Sequence, residues 1–381
     1  MRIILWGAGQ DGKKIHQFLR EGNYKIDIVG WVDANPELSG QKVLDLPVYA
    51  LGELKEIIEK EQIDEVVTTL HPFTYLHEIR QQSIELGITN VSYVPRYLLM
   101  EEYVDLSKPP FVPILFEKFH MHYFEVHLAD HCNLNCQGCG HISNACEPWM
   151  PTLESYVRDI ERLKELVGAV AMIKFFGGET LLNPELPKFI VASRKVFPDA
   201  ELYVGTNGLL IPSLEEETLR VMHDNKVYFT VSGYEPMFRI LNEIEKRLKR
   251  YHVPFVVGRE VKVFWKRFML HSVNNPVESY KKCISLSGRC FGLREGKISP
   301  CSSFYVRMLN EKFNAGIKLT PEDEFDLYKD DAADLEKLYE PIPLCAYCGN
   351  PMEFPWKRGV VDAKLEDYVI MGEDEEKYRI R

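Results

Sequence analysis

Three cysteines at C-x3-C-x2-C spacing, Cys132, Cys136 and Cys139 in DHCNLNCQGCGH, follow directly on the apolar run YFEVHLAD. A strand that delivers three thiols to one loop leaves few folds open, because such a loop lies at the C-terminal strand end, where α/β folds keep their sites. The remaining cysteines are unevenly spread: Cys146 lies close by, Cys283, Cys290, Cys301, Cys345 and Cys348 fall in the last third, and residues 1–131 hold none. The N-terminus MRIILWGAG runs straight into a strand and a glycine turn, with no apolar stretch of a secretory leader. A reducing, cytoplasmic compartment is therefore expected, in which clustered thiols serve metals rather than disulfides.

The 381 residues suffice for two or three domains. Residues 2–33 read as strand, GAGQDG turn, helix and strand, and the alternation continues through ELKEIIEK, EVVTTL, HEIRQQSIELG and VSYV, giving a Rossmann-like domain over 1–105 with about four parallel strands. The proline-rich SKPPFVP marks a linker, 106–122. From Tyr123 strands are expected at YFEVHLAD, AMIKFF, ELYVGT, KVYFTVS and PFVVG with helices between, so 123–275 reads as a partial (β/α)6 barrel, too short for a closed eight-fold one. A cysteine-rich domain over 276–350 and a charged tail, 351–381, complete the chain, with GEDEEK read as a solvated acidic face. Lys and Arg number 46 against 57 Asp and Glu, a net −11 that disfavours nucleic acid as a partner. No apolar run approaches the roughly 20 residues of a membrane span.

Three thiolates can hold three irons of a cubane [4Fe–4S] cluster and leave the fourth iron open to a small molecule. The competing reading is zinc, held by the same three cysteines with His141. The spacing and its place after the first barrel strand resemble the radical S-adenosylmethionine (SAM) superfamily. The resemblance extends to Gly177, Gly178 and Glu179 in KFFGGET, where the family has a GGE motif that receives the SAM amino group; Thr180 stands where the family often has proline. It also implies that Thr206 and Asn207 in GTNG, and Ser232 after the next strand, lie near SAM. The implied chemistry is reductive SAM cleavage to a 5′-deoxyadenosyl radical that takes hydrogen from substrate, with flavodoxin or ferredoxin as reductant.

Cys283, Gly296 and Cys301 stand at C-x12-G-x4-C, followed by Cys345 and Cys348 at C-x2-C. The arrangement resembles the Twitch form of the SPASM-type auxiliary domain and implies a second [4Fe–4S] cluster on Cys283, Cys301, Cys345 and Cys348. A four-cysteine zinc ribbon is the alternative. Cys146 and Cys290 read as spectators, Cys290 with a second reading as hydrogen donor, and none of His127, His131 and His141 is assigned as a base.

Gly7, Gly9 and Gly12 form G-x-G-x-x-G between a strand and a helix, and Asp33 ends the next strand, the context of a dinucleotide fingerprint. One mononucleotide half is present, so a nucleotide or nucleotide-sugar is expected rather than NAD; the stretch resembles small Rossmann domains of nucleotide-sugar and surface-glycan enzymes. The expected function is a radical SAM oxidoreductase or epimerase acting on a sugar, nucleotide-sugar or glycan-linked small molecule. The alternatives are a peptide-modifying maturase and a non-catalytic Fe–S redox sensor.

Overall fold

The computed structural model describes residues 1–22, 24–100, 103, 109–283, 290–301 and 303–380; the start of the expected linker, 106–108, lies outside these. Two compact units result. One takes Met1–His122 with Val167–Met172 and Asp199–Glu201, and the other takes Tyr123–Leu166, Ile173–Pro198 and Leu202–Arg381.

In the first unit, β1 (Arg2–Trp6), α1 (Gln10–Glu21) and β2 (Asp27–Asp33) are followed by β3 (Lys42–Val43), β4 (Leu46–Ala50), α2 (Leu54–Glu61), β5 (Glu65–Thr68), α3 (Pro72–Leu86), β6 (Val91–Tyr93) and β7 (Val112–Pro113). The sheet runs β3-β4-β2-β1-β5-β6-β7. Its middle five strands are parallel and the edges, β3 and β7, are antiparallel. The fifth parallel strand, one more than expected, is β4, whose LPVYA carries a proline that breaks the strand pattern. Ile3, Ile4 and Leu5 are fully buried, as a central parallel strand covered on both faces requires. Gly12, Ile15 and Leu19 bury one stripe of α1 against this sheet, and α3 opens on Pro72 and ends at Gly87 in the left-handed conformation. A short parallel pair, β8 (His120–Met121) with β10 (Ala169–Val170), belongs to the same unit.

The second unit is built on β9 (Phe124–Ala129), β11 (Met172–Gly177), β12 (Glu201–Thr206), β13 (Val227–Gly233) and β14 (Phe255–Glu260). Four helices follow the apolar stripes: α4 (Leu153–Leu166), α5 (Leu186–Val196), α6 (Glu216–Asp224) and α8 (Leu241–Arg250), the last preceded by the single turn α7 (Glu235–Phe238). The eight-stranded sheet runs β14-β13-β12-β11-β9-β16-β17-β18. Its last three members are β16 (Gly292–Arg294), β17 (Lys297–Ser299) and β18 (Phe325–Asp326), so the cysteine-rich region continues the sheet; β16 lies parallel to β9, Gly292 opposite Glu125. Between α9 (Pro276–Lys281), α10 (Ser303–Phe313) and the segment Pro343–Tyr347 lies a core of Phe304, Tyr305, Val306, Leu309, Ile342 and Leu344.

The C-terminal residues differ from a charged tail. A second sheet joins β15 (Val263–Met269) antiparallel to β19 (Cys348–Pro355) and parallel to β20 (Val369–Ile370). The acidic GEDEEK forms α11 (Glu373–Tyr378), where Glu375 accepts hydrogen bonds from the His271 backbone N–H and pairs with its ring Nδ1, both at 2.9 Å. Net charge alone concealed this, because the partner lies about a hundred residues away.

Candidate functional site

β9 is buried along its whole length and ends where the loop of Cys132, Cys136 and Cys139 begins. The loop turns through Asn135 and Gly138, both at positive φ. Burial pushes the Cys132 thiol up to about 11 and the Cys136 thiol up to about 12, and the neighbouring thiols of the loop add to the rise. Such thiols keep their protons near neutrality unless a metal displaces them. Three soft ligands on one loop, with a fourth position left to another molecule, fit a [4Fe–4S] centre of the open kind.

The structure brings the predicted SAM-side residues to this loop. β11 ends in Gly177 and Gly178, and a Cβ on Gly178 would collide with the carbonyl oxygens of Asp130 and His131, so glycine is required for the two strand ends to touch. Backbone bonds from Gly178 N–H to Ala129 O (2.8 Å) and from Glu179 N–H to His131 O (3.0 Å) fix that contact. The fully buried Glu179 carboxylate accepts from Thr206 Oγ1 (2.6 Å), Asn207 N–H (2.8 Å) and Leu181 N–H (3.0 Å). Burial raises its pKa and these three bonds oppose the rise. Asn207 continues the network: its side-chain amide donates to Asn133 Oδ1 at 2.6 Å and to Cys132 Sγ at 3.6 Å. Ser232 lies near the end of β13, next to Gly233, and is half-buried.

Of the polar residues beneath this rim, His127 and His141 stand out in the sequence without a base assigned to either, and the others do not stand out. Glu125 accepts from Tyr123 OH (2.7 Å) and lies 3.8 Å from Lys174 Nζ. Arg294 meets both oxygens of Asp130 at 2.9 Å, Asp130 lies 3.4 Å from His127 Nδ1, and Tyr305 OH lies 2.5 Å from His127 Nε2. Glu125, His127 and His141 bring ligand-type atoms within 4.8 Å of one another, but Lys174 and Tyr305 already engage them, so the group reads as a polar lining rather than a metal centre. The signal was present as the alternation of Glu125 and His127 with Phe124, Val126 and Leu128 along one buried strand.

The second cysteine group gathers around the core between α9 and α10. Cys283 influences both Cys345 and Cys348 electrostatically, and burial pushes these two up to about 11 and about 12. Cys301 packs, with Cys283, against the same core. It follows the β16–β17 hairpin, whose turn residues Glu295 and Gly296 both have positive φ, which accounts for the glycine in the spacing. Cys290 is half-buried within electrostatic reach of Glu125, Lys174 and Cys283, and Cys146 Sγ donates to Ser143 O at 3.7 Å.

In the first unit the glycine loop closes as a fingerprint does. Gly12 packs on the Gly7 carbonyl, and Thr69 Oγ1 donates to Gly7 O at 2.6 Å. Asp33 accepts from the N–H groups of Ala8 and Asn35, both at 2.8 Å. Gly9 is different: no protein atom lies within 4 Å of the Cβ it lacks. Asp11, in the first turn of α1, is paired with Arg96 at 3.2 Å and Lys14 at 3.7 Å.

Among the described residues no helix is long and apolar enough to cross a membrane. Residues 1–92 match the family model "C2185-like, N-terminal", and residues 126–256 match "Radical SAM superfamily". A GTP 3′,8-cyclase of Clostridium acetobutylicum is 28% identical over 105 residues, 25% of this chain and 30% of that protein. The FeMo cofactor biosynthesis protein NifB of Azotobacter vinelandii is 27% identical over 136 residues, 32% of this chain and 27% of that one. A redox-sensing transcriptional repressor Rex of Streptococcus equi subsp. equi is 29% identical over 99 residues, 25% of this chain and 46% of that one, so the chain spans less than half the length of each of these relatives. The N-terminal Rossmann-like domain resembles the Rex type. Residues 126–256, with the cysteine loop and the Glu179 network inside them, are a radical SAM domain, and that family implies SAM and a [4Fe–4S] cluster.

Proposed function

We propose that this chain is a radical SAM oxidoreductase or epimerase acting on a sugar, nucleotide-sugar or glycan-linked small molecule. In this reading Cys132, Cys136 and Cys139 hold the SAM-site cluster. Glu179, with Gly177, Gly178, Thr206, Asn207 and Ser232, receives SAM, and Cys283, Cys301, Cys345 and Cys348 hold an auxiliary cluster. The observation that carries it is Asn207, whose backbone N–H is on Glu179 and whose side chain is on Cys132, so that cysteine loop and carboxylate form one hydrogen-bonded unit. Cys132, Cys136 and Cys139 would hold a cluster whose chemistry, when bound, would be one-electron reduction of SAM, with a reductase of the flavodoxin or ferredoxin class as the electron source.

The chain's own residues supply position and proton handling. Glu179 has lone pairs left beyond its three bonds, and a buried carboxylate is a strong partner for the SAM ammonium. The lining of Glu125, Lys174, His127 and Tyr305 offers donors and acceptors suited to a polyhydroxylated substrate. The line from Tyr305 through His127 to Asp130, whose carboxylate Arg294 holds, gives dehydrogenation a route for the proton. In the first unit the open side of Gly9 supports a nucleotide phosphate at the Gly7–Gly12 loop, with Asp33 toward the ribose.

Anaerobic reconstitution of the full chain tests this. The expected result is about eight irons per chain and 5′-deoxyadenosine on reduction with SAM. About four irons plus zinc would remove the auxiliary cluster, and a reduced, loaded protein that leaves SAM intact would remove the enzymatic reading. For the nucleotide, Gly9→Ala should leave stability within about 1 kcal/mol, since its backbone is extended and its surroundings empty, while weakening UDP-sugar binding in calorimetry. Failure of every nucleotide and nucleotide-sugar to bind the wild type would favour the peptide reading.

A further inference from the structure

The segment after β19 lies along the cysteine loop. Gln137 N–H donates to Lys357 O (2.8 Å), Gly359 N–H to Leu134 O (3.0 Å) and Val360 N–H to Asn135 O (2.9 Å). The Gln137 side chain adds a bond to Asp367 at 2.7 Å. Within this contact the indole Nε1–H of Trp356 donates to Cys136 Sγ at 3.2 Å, while its ring stacks on Tyr234 with centroids 5.2 Å apart and planes 25° from parallel. Arg358, two residues on, lies within electrostatic reach of the same sulfur.

An independent feature of the loop shows that this contact is built into the sequence. Gly138, between Cys136 and Cys139, has φ +58, and a Cβ there would lie 2.5 Å from the Phe354 ring and 2.6 Å from Asp367 O. The loop is therefore shaped to the segment that covers it, although more than two hundred residues separate them in sequence.

We propose that Trp356 is a tuning residue: its indole N–H, held on Cys136 Sγ by the 354–367 strap, raises the reduction potential of the centre at Cys132, Cys136 and Cys139. This rests on the reading of those cysteines as cluster ligands. Adding an electron puts negative charge on the cluster sulfurs, and a donor aimed at one of them stabilises the reduced form more than the oxidised one. The Arg358 charge acts in the same direction. Exclusion of water by the strap acts in the opposite direction, so the effect of the hydrogen bond must be isolated without removing the strap. Trp356→Phe does so, because phenylalanine keeps a ring for Tyr234 and loses only the donor.

The test is a potentiometric titration of full-length wild type and Trp356→Phe, both anaerobically reconstituted, following the electron paramagnetic resonance signal that responds to added SAM. The expected result is a more negative midpoint in Trp356→Phe at equal iron content, with Tyr234→Phe unchanged. Equal midpoints in wild type and Trp356→Phe overturn the proposal. Should Trp356→Phe load no iron, the wild type alone decides: with indole-15N tryptophan, double-resonance spectra of the reduced cluster should show an exchangeable proton and a 15N coupling, and their absence overturns the proposal. A wild type without any SAM-responsive cluster overturns the underlying reading instead, and is told apart because it needs no variant.

Discussion

The two cysteine groups solve the same problem by different means. The first places Cys132, Cys136 and Cys139 on one loop, so a rigid strand and one glycine contact suffice to present them. The second draws Cys283 from the end of α9, Cys301 from beyond β17 and Cys345 and Cys348 from the approach to β19, and only the core around Phe304, Val306 and Leu344 holds them together. Closing loops of that length costs entropy that the packed core must first offset. The local group can thus be read from spacing, whereas the distributed group depends on the completed fold; in the proposed reading the first leaves a coordination position open and the second, with four thiols, has none to spare.

Cys132→Ala should produce the largest contrast. Iron should fall from about eight to about four per chain and SAM cleavage to background, with the auxiliary signal intact. Loss of both signals would mean that the groups assemble as one. Cys348→Ala should also cost about four irons, yet leave reductive SAM cleavage within about tenfold of wild type, as expected of separate sites. Abolished cleavage would remove the distinction between an open and a closed centre. Gly178→Ala should destabilise by about 1–3 kcal/mol or more, seen as a lowered Tm, because its Cβ meets two backbone carbonyls that have nowhere to go. Iron should then be lost from the first group before the second.

The smallest effect is on pH. Burial raises Cys132, Cys136, Cys345 and Cys348 to about 11 or 12 in the folded chain, above the ordinary thiol value of about 8.5. A raised thiol binds more protons folded than unfolded, so its contribution is complete below about pH 8.5 and is lost as pH climbs through the folded values. The metal-free chain should therefore show a falling Tm above about pH 9, and the loaded chain a smaller fall, because metal holds the same groups as thiolates. Identical profiles with and without metal would show that the thiols are not its ligands.

Local signals were legible and distant ones were not. The strand before Cys132, the glycines at 177 and 178 and the fingerprint at 7–12 are each contiguous, and each lies where its pattern placed it. Glu125 was passed over because, on a strand buried along both faces, its alternation with Phe124 and Val126 has no solvent side to give it meaning, and His127 stood out without a role. Residues 351–381 were misread because β19 pairs with β15, about ninety residues earlier, and Trp356 meets a sulfur 220 residues away. The strand β4 was missed through Pro47, whose missing N–H interrupts the pattern without preventing parallel pairing at Val48 and Tyr49.

The composition of the first unit has a consequence for synthesis. β8 pairs with β10, and the unit also takes in Asp199–Glu201, so it is incomplete when His122 leaves the ribosome. Another 79 residues, from His122 to Glu201, must be translated first, which at about 5–20 residues per second means a wait of about 4–16 seconds. The nascent N-terminal sheet spends that interval with β8 lacking its partner, and a fragment ending at residue 122 would stay in that condition permanently.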